Sequence, residues 1–310
     1  MVSKLDWYRI FYMVGQHESI SKAAKALYMT QPAVSQAIMQ LEEELGIRLF
    51  HRSPRGVALT NEGRLLFEYV HSALNLINAG EEKILEVKNL VSGELKIGVS
   101  DTISRYFLLP YLDLFHNRYS NIKIRVTNGT TLEICELLKA GEVDLGICNF
   151  PIDDDAFVKR PCFPIHDIFV CGEKYKKLLS QTVTFEQLQK LPLIFLEPKS
   201  NSRLYVENFF RKKGIELLPE FELGSHDLLL EFAQINLGIS CVTREFAEDY
   251  LRKGLVFEVK LEEDIPPRSV GFCYLKSVPL SPASLKFVEI IERDLAAKRM
   301  FKAEPDDKDR

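Results

Sequence analysis

A chain of 310 residues with 46% hydrophobic and 27% charged residues is that of a soluble globular protein, too long for one ordinary core and suited to two or three domains. No apolar run approaches the roughly 20 residues of a membrane span, and the opening Met-Val-Ser-Lys-Leu-Asp-Trp-Tyr lacks a signal peptide's apolar core, so a cytoplasmic protein with no membrane partner is expected. The formal charge of −4 hides an asymmetry, because through Arg64 eight Lys/Arg stand against six Asp/Glu, and a polyanion senses the local field rather than the total.

Residues 5–17 have helical period and form a first helix, after which Ser19 caps a second. Apolar residues recur at Ile20, Ala23, Ala24 and Leu27, then at Val34, Ile38, Leu41 and Leu45, placing each set on one helical face. Tyr28-Met29-Thr30 separates the two sets by a three-residue turn, and the small Ala23 and Ala24 let the helices cross closely, as in a helix-turn-helix. Thr30 can cap the later helix and Pro32 fits its first turn. With Val34, Ile38 and Leu41 inward, the outward face carries Gln31, Pro32, Ser35, Gln36, Met39 and Gln40, amide-bearing or short groups suited to base edges. The solvated surface helix of any helical domain would look much the same, so the next segment decides. Residues 47–60 read as two short strands around Pro54-Arg55-Gly56, a wing whose Arg52 and Arg55 can reach phosphates or a narrow minor groove. The DNA contacts expected are Gln31, Pro32, Ser35, Gln36 and Gln40 on base edges, with Ser21, Thr30, Arg52 and Arg55 beside them.

The run AAKALYMTQPAVSQAIMQLEEELGIRLFHR followed by LTNEG closely resembles the N-terminal domain of LysR-type transcriptional regulators, nearly continuously over residues 5–65. That resemblance implies a sequence-specific, effector-controlled regulator that binds a double-stranded DNA operator, associates with itself as a dimer and then a tetramer, and is open to contact with RNA polymerase.

From Thr60-Asn61-Glu62-Gly63 a long helix reaches about residue 90 without a proline. Its apolar positions Leu66, Val70, Ala73, Ile77, Gly80, Ile84, Val87 and Val91 alternate steps of four and three, a heptad seam. A helix buried on its own neighbouring domain would drift to a 3.6 period with a broader stripe, so pairing with a second copy through Leu66, Val70, Ala73, Ile77, Ile84 and Val87 is expected. Gly80 is a gap where the helix can bend.

Strand and helix patterns then alternate: strands at 95–99, 122–127 and 143–149 enclose helices at 103–119 and 132–140, implying a parallel sheet covered on both faces. A second set follows, with strands at 167–171, 193–196, 220–223, 239–242 and 255–259, helices at 204–213 and 228–236, a strand at 270–275 and a last helix at 282–298. Extended crossings are expected near 150–164 and 265–268. The resemblance makes this a two-lobed, periplasmic-binding-protein-like sensor, so the fold class is α/β with a winged helix-turn-helix N-terminal domain of all-α type, a long linker helix and that sensor. The boundaries expected are 1–60, 61–91 and 92–302, with lobe I at 92–161 plus 268–302, lobe II at 162–267, and a disordered tail at 303–310.

Ligands of such sheets lie beyond the carboxyl ends of the strands. Those ends carry Ser100, Asp101 and Thr102, then Thr130 and Thr131, then Cys148, while Ser200, Asn201, Ser202 and Arg203 open a helix of the second lobe. Each hydroxyl taken singly reads as an ordinary N-cap; their shared location makes an effector site. The ligand expected is a small anionic metabolite facing Lys199 and Arg203, unless Asp101 turns its carboxylate into the cleft, which would suit an amine, an amino acid or a neutral polar molecule. No resident cofactor or metal is expected, since the six cysteines and six histidines show no ligand spacing. Nor is there a nucleophile motif, phosphate loop or dinucleotide fingerprint, so an enzyme is not expected. The remaining alternative is a solute-binding module without DNA-linked activity.

Overall fold

A computed structural model describes residues 5–53, 56–88 and 93–303. They fall into two compact units, an N-terminal one through Lys88 and a C-terminal one.

The N-terminal unit opens with α1 (Leu5–His17), α2 (Ile20–Ala26) and α3 (Gln31–Leu45), followed by β1 (Phe50–Ser53), β2 (Gly56–Leu59) and the long α4 (Asn61–Lys88). Phe11, Val14, Ala23, Val34, Ile38, Leu41 and Leu49 are its buried centre, so the apolar spacing of both short helices is used as the pattern implies, except that Leu45 lies exposed at the end of α3. Ser19 caps α2 by accepting from the Lys22 N–H, and Thr30 caps α3 by accepting from the Ala33 N–H. Gly46 ends α3 in the left-handed region at φ 68°, a conformation that costs a residue with a Cβ. The following wing is anchored by a residue that belongs by sequence to an acidic run: Glu42 is buried, and its Oε1 accepts the N–H groups of Leu49 at 2.7 Å and Phe50 at 3.1 Å. The end of α3 and the start of the wing are thereby tied by charge-assisted hydrogen bonds.

β1 and β2 pair antiparallel from Phe50 opposite Leu59 to Ser53 opposite Gly56. Thr60 then turns the chain into α4: its hydroxyl donates to the Arg48 carbonyl and accepts from the Gly63 N–H, both at 2.9 Å. A Cβ at Gly63 would lie 2.1 Å from the Leu49 carbonyl oxygen, so this turn packs on the strand only with glycine there. α4 runs unbroken through Gly80.

The C-terminal unit contains two sheets. In order, its elements begin with β3 (Gly93–Val99), a continuous helix made of α5 (Asp101–Ile103), a π turn and α6 (Leu109–Arg118), then β4 (Ile122–Asn128), α7 (Thr131–Lys139), β5 (Leu145–Asn149) and β6 (Phe157–Ile165). Next come β7 (Asp167–Cys171), a 3₁₀ turn, α8 (Phe185–Leu188), β8 (Leu193–Leu196), α9 (Asn201–Lys212), β9 (Pro219–Leu223) and α10 (His226–Gln234). β10 (Ile239–Thr243), α11 (Arg244–Arg252), β11 (Phe257–Val259), β12 (Arg268–Leu275) and α12 (Pro282–Ala303) complete it. The first sheet has the order β4-β3-β5-β12-β6 and the second β11-β7-β10-β8-β9.

These sheets correct the expectation of all-parallel pairing. β3 pairs parallel with β4 and β5, but β12 returns from the second lobe in the opposite direction and pairs antiparallel with both β5 and β6. The second sheet is mixed likewise, β8 being parallel to β9 and β10 while β7 is antiparallel to β10 and β11. β6 is a further correction: the stretch expected as an extended crossing is an edge strand paired with β12 as far as Ile165, so the crossing follows Ile165 rather than residue 161. Its prolines suit an edge position, where a missing N–H breaks no interior ladder. Residues 304–310, expected to be disordered, lie outside the described residues.

Where the two crossings meet, Arg268 at the start of β12 and Asp167 at the start of β7 are almost wholly buried, with side chains 1% and 3% exposed. The guanidinium grips both carboxylate oxygens, from Nε at 2.5 Å and Nη2 at 2.7 Å, and also donates to Asn149 at the end of β5 and Ser202 of α9. One ion pair therefore binds both lobes at their junction.

Candidate DNA-binding and effector-binding sites

Two surfaces collect the residues singled out by sequence. On the first, α3 turns Val34, Ala37, Ile38 and Leu41 into the core, leaving Gln31, Pro32, Gln36, Met39 and Gln40 exposed and Ser35 half-buried. Thr30 at the head of α3 and Ser21 at the head of α2 are exposed beside it. The turn between the helices adds Tyr28, which is 99% exposed at φ 54°; sequence reading took it only as a turn residue. Arg52 pairs through its backbone with Val57 in the wing; its side chain, and all of Arg55, lie outside the described residues.

Along α4 the expected seam divides. Leu66 and Val70 pack with Phe67 and Leu74 against the core of their own winged helix, where Phe67 stacks on Tyr12 at 5.0 Å between ring centroids. They are therefore not free to meet a second copy, a correction to the heptad reading. The exposed stripe lies one helical step to the side: Leu65, Tyr69, Ile77 and Ile84 are 61%, 71%, 41% and 70% exposed, with Ala73 exposed among them. The Val87 side chain is outside the described residues, as is Val91.

The second surface is a cavity of about 270 Å³ between the lobes. Ser100, Asp101 and Thr102 line it from the head of the first-lobe helix, Thr130 and Thr131 from the head of α7, and Ser200, Asn201 and Ser202 from the head of α9. These eight expected residues do come together. Ser100 caps its helix by accepting from the Ile103 N–H, so Asp101 is not the cap; it accepts instead from the Asn128 side-chain amide. Asn201 reaches across to donate to the Asn149 carbonyl at 2.7 Å.

Two expected residues lie elsewhere. Cys148 is wholly buried in a side core with Ile134 and Phe157, because alternation along β5 puts Asn149, one position on, at the cavity. Arg203 does not line the cavity: its Nε binds Glu207 at 2.6 Å and its Nη1 binds Glu222 at 2.7 Å and the Leu196 carbonyl at 2.9 Å. Lys199 is exposed and also absent from the lining. The cavity wall instead bears Asp101, Glu133 and Glu197, with no Lys or Arg among the described residues lining it. Both cations named for an anionic ligand thus lie off the wall, whose own charged side chains are acidic, although Lys199 is near enough to act on the charge of Glu133. Backbone and hydroxyl bonds from Thr130 hold Glu133 below the usual carboxylate range, so it stays charged.

His226, Thr243 and Phe246 complete the second-lobe wall, all unnoticed in the sequence because His226 and Thr243 meet only after folding. The Thr243 N–H donates to His226 Nε2 at 3.0 Å, which leaves the proton on Nδ1; that nitrogen is buried and bonds to no described residue. Burial pulls the pKa of His226 down to about 4, partly opposed by Asp227 and aided by Arg268. Because this lies below the ordinary 6.5, the unfolded chain takes up the proton first: the contribution to stability is complete above pH 6.5 and is lost as pH falls toward 4. Between pH 7 and 5 this amounts to about 2 kcal/mol. Urea unfolding should show that loss in the wild-type protein and lack it in His226→Gln; equal pH dependence in both would contradict the assignment.

The described residues hold no cluster of three or more His, Cys, Asp or Glu placed to bind a metal, and no helix long and apolar enough to cross a membrane. All six cysteines are buried and none is joined in a disulfide. Burial, with Glu173 adding to it, pushes Cys171 up to about 11, and burial raises Cys241 well above the usual thiol range, which makes both poor nucleophiles.

Two family models cover these two surfaces. The bacterial regulatory helix-turn-helix protein, lysR family, matches residues 5–64, and the LysR substrate binding domain matches residues 88–296. The chain belongs to the LysR family of transcriptional regulators. It is 27% identical to the RuBisCO operon transcriptional regulator of Allochromatium vinosum over 93% of this chain and 95% of that one. Its fold is that of a full-length OxyR variant from Pseudomonas aeruginosa, with a TM-score of 0.63 at 20% identity over 94% of each chain. It is likewise that of full-length CbnR solved with its target DNA, with a TM-score of 0.61 at 20% identity over 93% of this chain and 99% of that one. The LysR regulator is accordingly a DNA-binding protein with an effector-binding domain, not an enzyme, and the alternative of a solute-binding module without DNA-linked activity falls.

Proposed function

We propose that this LysR regulator reads its operator with Gln31, Pro32, Ser35, Gln36 and Gln40, positions the backbone with Ser21, Thr30, Arg52 and Arg55, pairs through α4, and takes its effector in the cavity between the lobes. The domain boundaries at 60 and 91 and the tetramer built from two dimers belong to the same reading, as does contact with RNA polymerase. The observation that carries it is the division of α3: one face is wholly core, and the other presents exposed amide side chains in the first two turns, the part of a recognition helix that enters the major groove. Amides there read adenine edges bidentately, and their loss affects specificity more than general affinity. Gln36→Ala should therefore cost about 1–3 kcal/mol at the cognate operator and little on random DNA, compared by titration at fixed salt. Equal losses on both DNAs would remove Gln36 from base reading.

A further inference from the structure

The cavity wall is electrically divided. On the first-lobe side both helix heads are satisfied by their own side chains: Ser100 accepts from the Ile103 N–H, and Thr130 and Glu133 cap each other reciprocally across the start of α7. That side adds negative charge, from Asp101 and Glu133. Asp101 commits Oδ1 to Asn128, with Oδ2 left over. On the second-lobe side the twelve-residue α9 begins without a side-chain cap, its Ser200 hydroxyl making no capping bond, so the positive end of the helix and its first N–H groups meet the cavity directly. Beside it stands His226, 4% exposed, whose Nδ1–H is a buried donor bonded to no described residue. Glu197 at the end of β8 is the exposed acidic member of this side.

A ligand carrying only negative charge meets three carboxylates on the wall and no lining cation, the nearby Lys199 being offset by Glu133. A ligand carrying only positive charge leaves the uncapped α9 head without an acceptor. Building on the assignment of the cavity as the effector site, we infer that the ligand is a small amino-acid-like zwitterion, with its ammonium toward Asp101 and Glu197 and its carboxylate on the uncapped first turn of α9. At about 270 Å³ the cavity is at the small end of metabolite pockets, which fits a molecule of that size.

The test uses the full-length protein in thermal-shift and calorimetric titrations against the common L-amino acids, the 2-oxo acid counterpart of each, dicarboxylates, inorganic phosphate and neutral sugars. The expected result is that at least one amino acid binds and raises Tm, while its oxo acid, identical but for the ammonium, binds at least tenfold more weakly. Asp101→Asn, nearly isosteric, should weaken the amino acid by tenfold or more, and Ser200→Trp, which fills the cavity at the head of α9, should abolish binding while melting cooperatively. The inference is overturned if an oxo acid, dicarboxylate, phosphate or sugar binds as well as the amino acids do, or if none of the amino acids binds. Ser200→Trp separates the two claims. Binding of a non-amino-acid that this variant abolishes leaves the cavity as the effector site and discards only the zwitterion; binding of any compound that survives it discards the cavity as well.

Discussion

Ile77→Glu is expected to break the pairing through α4 and halve the size of the assembly at micromolar concentration while leaving its secondary structure and thermal unfolding nearly unchanged. Ile77 is 41% exposed and the flanking Leu65, Tyr69 and Ile84 more so, a row of large apolar side chains on one face of a 28-residue helix. Such a row is stabilised by pairing with its like, since each large side chain removed from water contributes about 1.5–3 kcal/mol. A carboxylate in the middle of that seam must either be desolvated or hold the helices apart, at a cost of about 3 kcal/mol or more for each dimer. Sedimentation equilibrium should show the mass halved. Operator affinity should fall with it, because two linked winged helices bind two half-sites with an effective concentration that separate ones lack. Leu66→Glu is the contrasting variant: Leu66 faces its own winged-helix core, so the same charge should unfold the N-terminal unit rather than only separate subunits. An assembly whose mass is not halved by Glu at position 77 would place the seam elsewhere.

That contrast also shows what could be read from sequence and what could not. The helix-turn-helix, its caps at Ser19 and Thr30 and its wing were legible because every determinant lies within about one turn of the residue it acts on. The α4 seam was legible as apolar period but not as orientation: Leu66 and Val70 continue the 4-3 alternation, yet their partners Phe11 and Val14 lie more than fifty residues away, and only packing decides which edge of a broad stripe faces inward. The lining of the cavity was legible at helix heads, where hydroxyls cluster after strands, and not where direction mattered. Arg203 lies only two residues into α9, but its neighbour Glu207 at i+4 and Glu222 of β9 draw it away from the cavity. Cys148 and Asn149 differ by one step in a strand, which exchanges the core for the wall. Glu42, His226 and the Arg268–Asp167 pair were invisible for one common reason: a polar residue in an apolar or acidic context reveals its burial only through a partner that the fold supplies.

The Arg268–Asp167 pair carries the largest expected loss of stability. Its members are 101 positions apart, almost wholly buried, and joined by two parallel bonds of 2.5 and 2.7 Å. Thr243 adds a hydroxyl between them, donating to Asp167 at 3.4 Å and accepting from Arg268 at 3.2 Å, while Asn149 and Ser202 bind the guanidinium from either lobe. Arg268→Ala leaves a carboxylate in the interior with only the Thr243 hydroxyl to bond it, and removing one partner of a buried pair costs about 3–5 kcal/mol. Urea unfolding followed by far-UV circular dichroism should show this loss in the C-terminal unit. Arg268→Lys should recover little of it, because an ammonium cannot make the parallel pair of bonds and reach Asn149 and Ser202 at once. The double variant Arg268→Met with Asp167→Leu separates the two meanings of the pair. Replacing both charges by apolar groups removes the desolvation cost along with the attraction, so stability should return to within about 1 kcal/mol of the wild type. The bonds to Asn149 and Ser202 would still be gone, and with them the tie that fixes the lobes on either side of the cavity, so effector binding should remain impaired in a protein of nearly normal stability. If stability and ligand affinity recovered together, the pair would be a filler of the interior and the lobes would be set by other contacts.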